Sequence, residues 1–81
     1  METRIAQIGI IVEKGGSVEA MNQLLHTYGE YIVGRMGIPY RKRNISVISI
    51  IIDAPNDVIS ALSGKLGMLD HIKSKTLYAN V

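Results

Sequence analysis

The segment GRMGIPYRKRNIS, from Gly34 to Ser46, combines positive charge with glycine. It holds four of the nine lysines and arginines, two glycines and one proline, and it has no acidic residue. Arginine binds phosphate and carboxylate through paired N–H donors, and glycine lets a ligand approach backbone N–H groups. Tyrosine adds a ring for stacking. The segment therefore predicts an anion-binding site, whose candidate contacts are Gly34, Arg35, Gly37, Tyr40, Arg41 and Arg43.

Other interpretations of this segment stay open. The triplet Arg41-Lys42-Arg43 is typical of a solvated turn that keeps a sheet edge from pairing, and we favour that interpretation for the triplet alone. Gly34 and Gly37 weaken the strand that contains them. Close approach of a second subunit explains these two glycines as well as a ligand does.

Residues suited to catalysis or metal binding are sparse. The sequence has no cysteine, which excludes disulfides and thiolate ligands, and its two histidines, His26 and His71, form no His-x-His pair. No serine has a histidine and an acid at a recognisable spacing. We therefore predict no catalytic residues, no metal site and no cofactor, and we expect that the protein is not an enzyme.

Hydrophobic periodicity and turn residues predict six elements in the order βαββαβ. The predicted elements are strands over 4–13, 31–38, 45–53 and 71–79, a helix capped by Ser17 and ended by Gly29, and a helix that opens at Pro55. We expect Pro39 to end the second strand, Gly67 to cap the second helix and Gly64 to mark a packing contact.

This element order favours one domain over residues 1–81. Short connections and right-handed crossovers predict an α+β fold, the ferredoxin-like βαββαβ sandwich. In that sandwich the four-stranded antiparallel sheet has the spatial order 4-1-3-2, and both helices cover one face. The two isoleucine-rich strands are then central, and the glycine-interrupted and lysine-bearing strands are edges.

Both faces of the two central strands are apolar. One set of alternating residues, from Ala6 to Val12 and from Ile48 to Ile52, is the expected core beneath the helices. The opposite face should be polar if water covers it, yet most of its side chains are isoleucine or valine. We predict that this face is an oligomer interface made by Ile5, Gln7, Gly9, Ile11, Ile45, Val47, Ser49 and Ile51.

Size and charge set limits on the partners. A chain of 81 residues buries only roughly 60–65% of its unfolded surface, so without disulfides or metals association is the remaining route to stability. The net charge of +2 is too small to indicate nucleic acid by itself. Because no apolar run is long enough for a signal peptide or a membrane span, we expect a cytoplasmic protein without membrane contact.

The segments VGRMGIPYRKRNISVISIIID and ISALSGKLGMLDHIKSK resemble the small family of regulators of the iron-only hydrogenase system. The most specific parts are 33–40 and 63–67, and the resemblance covers essentially the whole chain. It implies an ACT-like fold, similar to the C-terminal ligand-binding domain of the nickel-responsive repressor. It also implies an oligomeric sensor or regulatory module with ligand sites between subunits. The nickel ligands of that repressor are absent here.

Two functions of different class follow from these observations. The first is a homo-oligomeric regulatory module, a dimer or a tetramer, that binds a small-molecule or anionic ligand, or a protein partner, at its subunit interfaces. The alternative is a nucleic-acid-binding protein that places the basic hairpin over 35–43 in a groove as a two-stranded ribbon.

Overall fold

Two isoleucine-rich segments form the central strands of a four-stranded antiparallel sheet in the computed structural model, which describes residues 2–80. The elements are β1 (Arg4–Val12), α1 (Val18–Thr27), β2 (Ile32–Tyr40), β3 (Ile45–Ala54), α2 (Asn56–Gly67) and β4 (Ile72–Tyr78), with 3₁₀ turns at Gly29–Tyr31 and Arg41–Arg43. The spatial order β2-β3-β1-β4 is the predicted order 4-1-3-2 read from the other edge. The predicted fold is confirmed.

The core lies between the sheet and the two helices. The alternating residues Ala6, Ile8, Ile10 and Val12 of β1 and Ile48, Ile50 and Ile52 of β3 are buried, as predicted. The helices contribute Met21, Leu25, Ile59, Leu62 and Leu66 to the same cluster. Since the strands put every second side chain on this face, the helices cover one side of the sheet and leave the other uncovered.

Helix α1 begins where its sequence signals predict. The Ser17 hydroxyl accepts a hydrogen bond from the Ala20 N–H at 3.0 Å, and Glu19 lies in the first turn, where the helix dipole favours an acid. The helix ends at Thr27, and a 3₁₀ turn that starts at Gly29 leads into β2. No helix of residues 2–80 is long and apolar enough to cross a membrane.

Two predictions about the glycines of α2 are wrong. Gly67 is the last helical residue rather than the cap, which is Met68 in a right-handed conformation. A Cβ on Gly64 would meet no atom within 4 Å, so this glycine makes no packing contact inside the chain. Both glycines lie on the exposed side of the helix, away from its buried stripe of leucine and isoleucine.

The expectation that Pro39 ends the second strand is also wrong. Strand β2 continues through Pro39, which pairs with Ser46, to Tyr40, which pairs with Ile45. Proline is tolerated here because β2 is an edge strand, where the missing N–H can face away from the neighbouring strand. An irregularity between Ile32 and Gly34 marks the start of the strand.

The turn between β1 and α1 depends on two glycines. Gly15 has φ +94°, a left-handed conformation that side chains rarely adopt, and the ring of His71 lies over it. A Cβ on Gly16 would lie 2.9 Å from the His71 carbonyl oxygen and 2.9 Å from Val12 Cγ1. His71 itself precedes β4, with φ 60°, and its carbonyl accepts the Glu13 N–H at 2.8 Å. The predicted start of the last strand at this residue is therefore off by one.

We expect Gly16→Ala to lower the free energy of unfolding by about 1–3 kcal/mol, because the added methyl group must displace backbone. Gly64→Ala is the matched control, since its methyl group meets open space and alanine favours the helix by about 0.5–1 kcal/mol. Urea unfolding followed by circular dichroism measures both variants. Equal shifts of the two midpoints in the same direction would contradict the assigned role of Gly16.

Candidate functional site

The uncovered side of the sheet, called the open face below, collects side chains from all four strands. The eight residues predicted as an oligomer interface all lie on it, because β1 and β3 pair with Gln7 opposite Ile51, Gly9 opposite Ser49 and Ile11 opposite Val47. The registers of the edge strands add Gly34, Met36, Ile38 and Tyr40 from β2, and Lys73, Lys75 and Leu77 from β4.

Large apolar side chains remain exposed across this open face. Ile5, Ile11, Val47 and Ile51 on the central strands keep between 37% and 40% of their surface exposed. The edge strands are more exposed still, with Met36 at 62%, Ile38 at 52% and Leu77 at 69%.

Burying such a side chain fully stabilises the folded protein by roughly 1.5–3 kcal/mol. Because these side chains stay about half exposed, the single chain lacks about half of that stabilisation at each position. Over seven residues the forgone sum is several kcal/mol, comparable with the total stability of a small domain.

The centre of the open face carries two polar side chains that are hydrogen-bonded to each other. Gln7 Nε2 donates to Ser49 Oγ at 2.9 Å across the β1–β3 ladder. Gly9 is directly opposite Ser49, and its Cβ position has no neighbour within 4 Å. Since the amide and the hydroxyl already pair with each other, covering this part of the face leaves fewer unpaired polar atoms than two separate polar side chains would.

The six residues predicted to bind a ligand do not form one pocket within the chain. Gly34 and Tyr40 lie on the open face, whereas Arg35 and Gly37 pair with Ile50 and Ile48 and so lie on the helix side of β2. The remaining two, Arg41 and Arg43, lie in the turn that joins β2 to β3.

Arg35 and Gly37 line a groove of ≈ 210 Å³ between β2 and α1. The Arg35 guanidinium donates from Nη2 to Asn22 Oδ1 at 2.9 Å, which ties the edge strand to the helix. Arg41 lies in a different cleft, of ≈ 320 Å³, beside Lys14 and the glycines of the β1–α1 turn. An anion site that uses all six predicted residues therefore needs more than one copy of the chain.

Metal-binding geometry is not formed by residues 2–80, in which no three histidine or acidic side chains come close enough to hold an ion. His26 lines a small cleft with Asn22 and Arg35 at the C-terminal part of α1, and His71 packs over Gly15. The two histidines are thus attached to different parts of the fold.

Comparison with known proteins decides the family. The family model described as "TM1266-like: Iron-only hydrogenase system regulator, putative" matches residues 4–76. The chain belongs to this family. The solved structure of the uncharacterized protein TM1266 from Thermotoga maritima is 36% identical, with a TM-score of 0.93 over 98% of this chain and 100% of that chain. No curated protein matches the sequence.

Membership of the TM1266-like family confirms the resemblance found in the sequence and the α+β fold derived from it. The match includes nearly all of the open face, since residues 4–76 contain β1, β2, β3 and most of β4. The family description refers to regulation of the iron-only hydrogenase system.

Sequence reasoning missed the contribution of the edge strands to the open face. Met36, Ile38 and Leu77 are among its most exposed apolar side chains, yet only β1 and β3 were assigned to the interface. The alternation Gly34-Met36-Ile38-Tyr40 carries the signal in this TM1266-like chain. Carrying the two-residue period past the glycines and through Pro39 would have found it.

Proposed function

We propose that this chain is a regulatory module of the iron-only hydrogenase system that works as a homo-oligomer joined through the open face. In this proposal a small ligand or a protein partner binds where subunits meet. The observation that carries it is the open face, which is apolar along β1, β2 and β3 although no helix of residues 2–80 covers it. The family match supports the regulatory role.

A second copy of the chain is the occupant that the dimensions favour. Four strands about 4.8 Å apart, of which β1 and β2 are nine residues long at about 3.3 Å per residue, give a face of roughly 20 by 30 Å. Two such faces in contact bury more than about 1,000 Å², which is the area that a specific interface needs. The lysines of the open face lie at one margin, on β4, so they do not oppose contact at the centre.

Residues suited to binding an anionic ligand lie at the β2 margin of the open face. Tyr40 and Gly34 lie on β2, at one side of the face, and Arg41 and Arg43 follow directly in the exposed turn. A second chain laid on the face would place its own side chains next to this turn. The shared chemistry of guanidinium groups and a tyrosine ring fits a carboxylate or phosphate ligand.

Native mass spectrometry of the freshly purified protein tests the proposal, because it reports subunit count and retained ligand together. We expect a dimer or a tetramer of the 8.9 kDa chain at micromolar concentration, with light scattering after gel filtration giving the same mass. A single 8.9 kDa species in both measurements would refute the homo-oligomer.

Nucleic-acid binding is a second candidate, favoured by the arrangement of the β2–β3 turn. Arg41, Lys42 and Arg43 are exposed at its tip, and the ion pair formed within residues 2–80 is elsewhere, between Lys73 and Glu13. A protruding group of cations without acidic partners can follow a phosphate backbone.

For this candidate we expect a duplex DNA shift at low salt that replacement of Arg41, Lys42 and Arg43 by alanine abolishes. The logarithm of affinity should fall with the logarithm of salt at a slope of roughly −2.7 for three phosphate contacts. Lys65→Ala, on α2, is the control and should leave the shift unchanged. If wild-type protein gives no shift at low salt, this candidate is excluded.

A further inference from the structure

Strand β4 is one edge of the sheet, and half of its backbone groups point away from β1. The Ala79 N–H donates to the Ile5 carbonyl at 2.8 Å, which fixes the phase of the β1–β4 ladder. Because bonded and non-bonded positions alternate along an antiparallel ladder, the odd-numbered residues of β4 bond to β1 and the even-numbered residues face outward. The N–H groups of Ser74, Thr76 and Tyr78 are therefore directed to the edge, and no strand of residues 2–80 lies beyond them.

A cleft of ≈ 700 Å³ runs along this edge. Gly9 and Ile11 of β1 line it on the open face, and Gly67 lines it at the end of α2. A Cβ on Gly9 or on Gly67 would meet no atom within 4 Å, so neither position is filled by a neighbouring side chain. Since its lining comes from both sides of the sheet, the cleft follows the outer side of β4 and gives room for a further segment of chain.

Two lysines make one side of this edge positive. Lys73 and Lys75 lie on the open-face side of β4. Lys73 Nζ lies 3.5 Å from a carboxylate oxygen of Glu13, yet the lysine side chain is 74% exposed, and Lys75 forms no ion pair within residues 2–80. Residues two apart on a strand are separated by about 6.6–6.8 Å. The edge thus presents two ammonium groups at the spacing of alternate residues on a neighbouring strand.

Like charge makes a second β4 a poor neighbour for this edge. Full antiparallel overlap of two β4 strands sets Lys75 opposite Lys75, and a register centred on Ser74 sets Lys73 opposite Lys75 twice. A register centred on Thr76 leaves the two Lys75 side chains on one diagonal. Like charges directly opposite each other destabilise a strand pair, and lysine on an edge opposes self-association. The charge of the edge therefore favours an acidic neighbour of different sequence.

We propose that β4 binds an extended, acidic segment of a partner protein, which adds to the sheet as a fifth, antiparallel strand. Acidic residues two apart on this segment lie opposite Lys73 and Lys75, on the open-face side. The residues between them lie on the helix side, beside Gly67, and exchange N–H and C=O bonds with Ser74 and Thr76. The antiparallel orientation matches every other pair in the sheet. Binding needs a single copy of this chain, so the proposal stands apart from the homo-oligomer.

An eight-residue peptide of alternating glutamate and valine, capped at both ends and labelled with a fluorophore, is the probe. We expect fluorescence anisotropy to show binding at least about tenfold tighter than that of the peptide in which lysine replaces glutamate, because opposite charges across a strand pair attract. Amide hydrogen exchange of the protein should slow at Ser74, Thr76 and Tyr78 when the glutamate peptide is added. Equal affinity of the two peptides, or unchanged exchange at these amides, overturns the proposal.

Backbone methylation of the peptide separates strand addition from attraction between charges. In the antiparallel pairing the valines, opposite Ser74 and Thr76, direct their N–H groups toward β4, whereas the glutamates direct theirs outward. N-methylation of the valines removes these donors, and we expect it to weaken binding at least about tenfold. N-methylation of the glutamates keeps the donors and the charge, and should change the affinity by less than about threefold. Equal affinities of the two methylated peptides refute strand addition.

Ser74→Pro tests the same bonds from the side of the protein. Proline at this position removes an N–H that faces outward, and the opposite edge of the sheet already accepts Pro39, so the far-ultraviolet circular dichroism should be unchanged. We expect binding of the glutamate peptide to weaken at least about tenfold. Neither this substitution nor peptide methylation alters the open face, so a monomeric protein leaves the test intact. Wild-type affinity in a folded Ser74→Pro protein contradicts the proposal.

Charge reversal gives a test that does not depend on proline. Lys75→Glu should weaken binding of the glutamate peptide and strengthen binding of the lysine peptide, each at least about threefold. Lys65→Glu is the matched control, because its ammonium group lies 5.4 Å from the Tyr28 ring, on the side of α2 toward α1, and it should leave both affinities unchanged. Equal effects of the two substitutions would place the binding site elsewhere.

Other occupants of the edge give different results. If a single-stranded oligonucleotide with the charge of the peptide binds as tightly and competes with it, the lysines attract anions without adding a strand. If the protein without peptide forms an assembly that Ser74→Pro dissociates, a second copy covers the edge. Either result overturns the proposal.

Discussion

Val47→Glu should halve the mass of the assembly without unfolding the chain. Val47 lies on the open face of the central strand β3, between Ile11 of β1 and Ile38 of β2, and is 40% exposed. In a single chain the glutamate reaches water from there. Between two stacked faces it is an uncompensated charge, which costs about 2–5 kcal/mol per site, so we expect the dissociation constant to rise at least about a hundredfold.

The control for this substitution is Met68→Glu. Met68 is 83% exposed, more than any large apolar side chain on the open face, but it lies directly after α2 and not in the sheet. Light scattering should show the wild-type mass for Met68→Glu and a smaller species for Val47→Glu, with the same far-ultraviolet circular dichroism for both. If both variants keep the wild-type mass, the open face is not an interface.

Ile50→Ala should remove most of the stability of the fold. Ile50 is fully buried on the helix side of β3, directly opposite Ile8, which is also fully buried. Truncating such a side chain leaves a cavity and costs about 2–5 kcal/mol, against a total of about 5–15 kcal/mol for a domain and the lower end of that range for a small one. Urea unfolding should show a large loss at every protein concentration.

The matched variant is Ile51→Ala, one residue further along the same strand. Ile51 is on the open face and 38% exposed, so its truncation lowers the stability of a single chain less than truncation of Ile50 does. If subunits cover it, its effect appears through association, and the unfolding midpoint should depend on protein concentration more strongly than in wild type. A loss equal to that of Ile50→Ala and independent of concentration would contradict the difference between the two faces.

The fold was predictable because its strongest signals are regular. β1 and β3 alternate without interruption, so their periodicity identifies both the buried set around Ile8 and Ile50 and the opposite set around Ile11 and Val47. Ser17 caps α1 as predicted, because its hydroxyl accepts a hydrogen bond from the Ala20 N–H. Since two central strands and two helices leave few ways to connect βαββαβ, the sheet order followed from these signals.

The candidate site was predictable only in part, because β2 hides its own pattern. Two glycines carry no hydrophobic signal, and Pro39 reads as a strand end although an edge position accepts it. The anion-site residues were grouped by nearness in sequence, yet alternation sends Gly34 and Arg35 to opposite sides of the sheet. Proximity along a strand is a poor guide to proximity in space, and only the registers with β3 separate the two sides.

The position of β1 between β3 and β4 has a consequence for how the chain reaches its native state. Arg4 pairs with Ala54 and Ala6 with Tyr78, so β1 is synthesised well before either of its partners. Bringing together residues so distant along the chain costs conformational entropy before their contacts form, and this cost slows folding. Until then the isoleucine-rich β1 is an unpaired, aggregation-prone segment. Refolding yield should therefore fall as concentration rises, and the nascent protein should depend on prompt completion of its last strand.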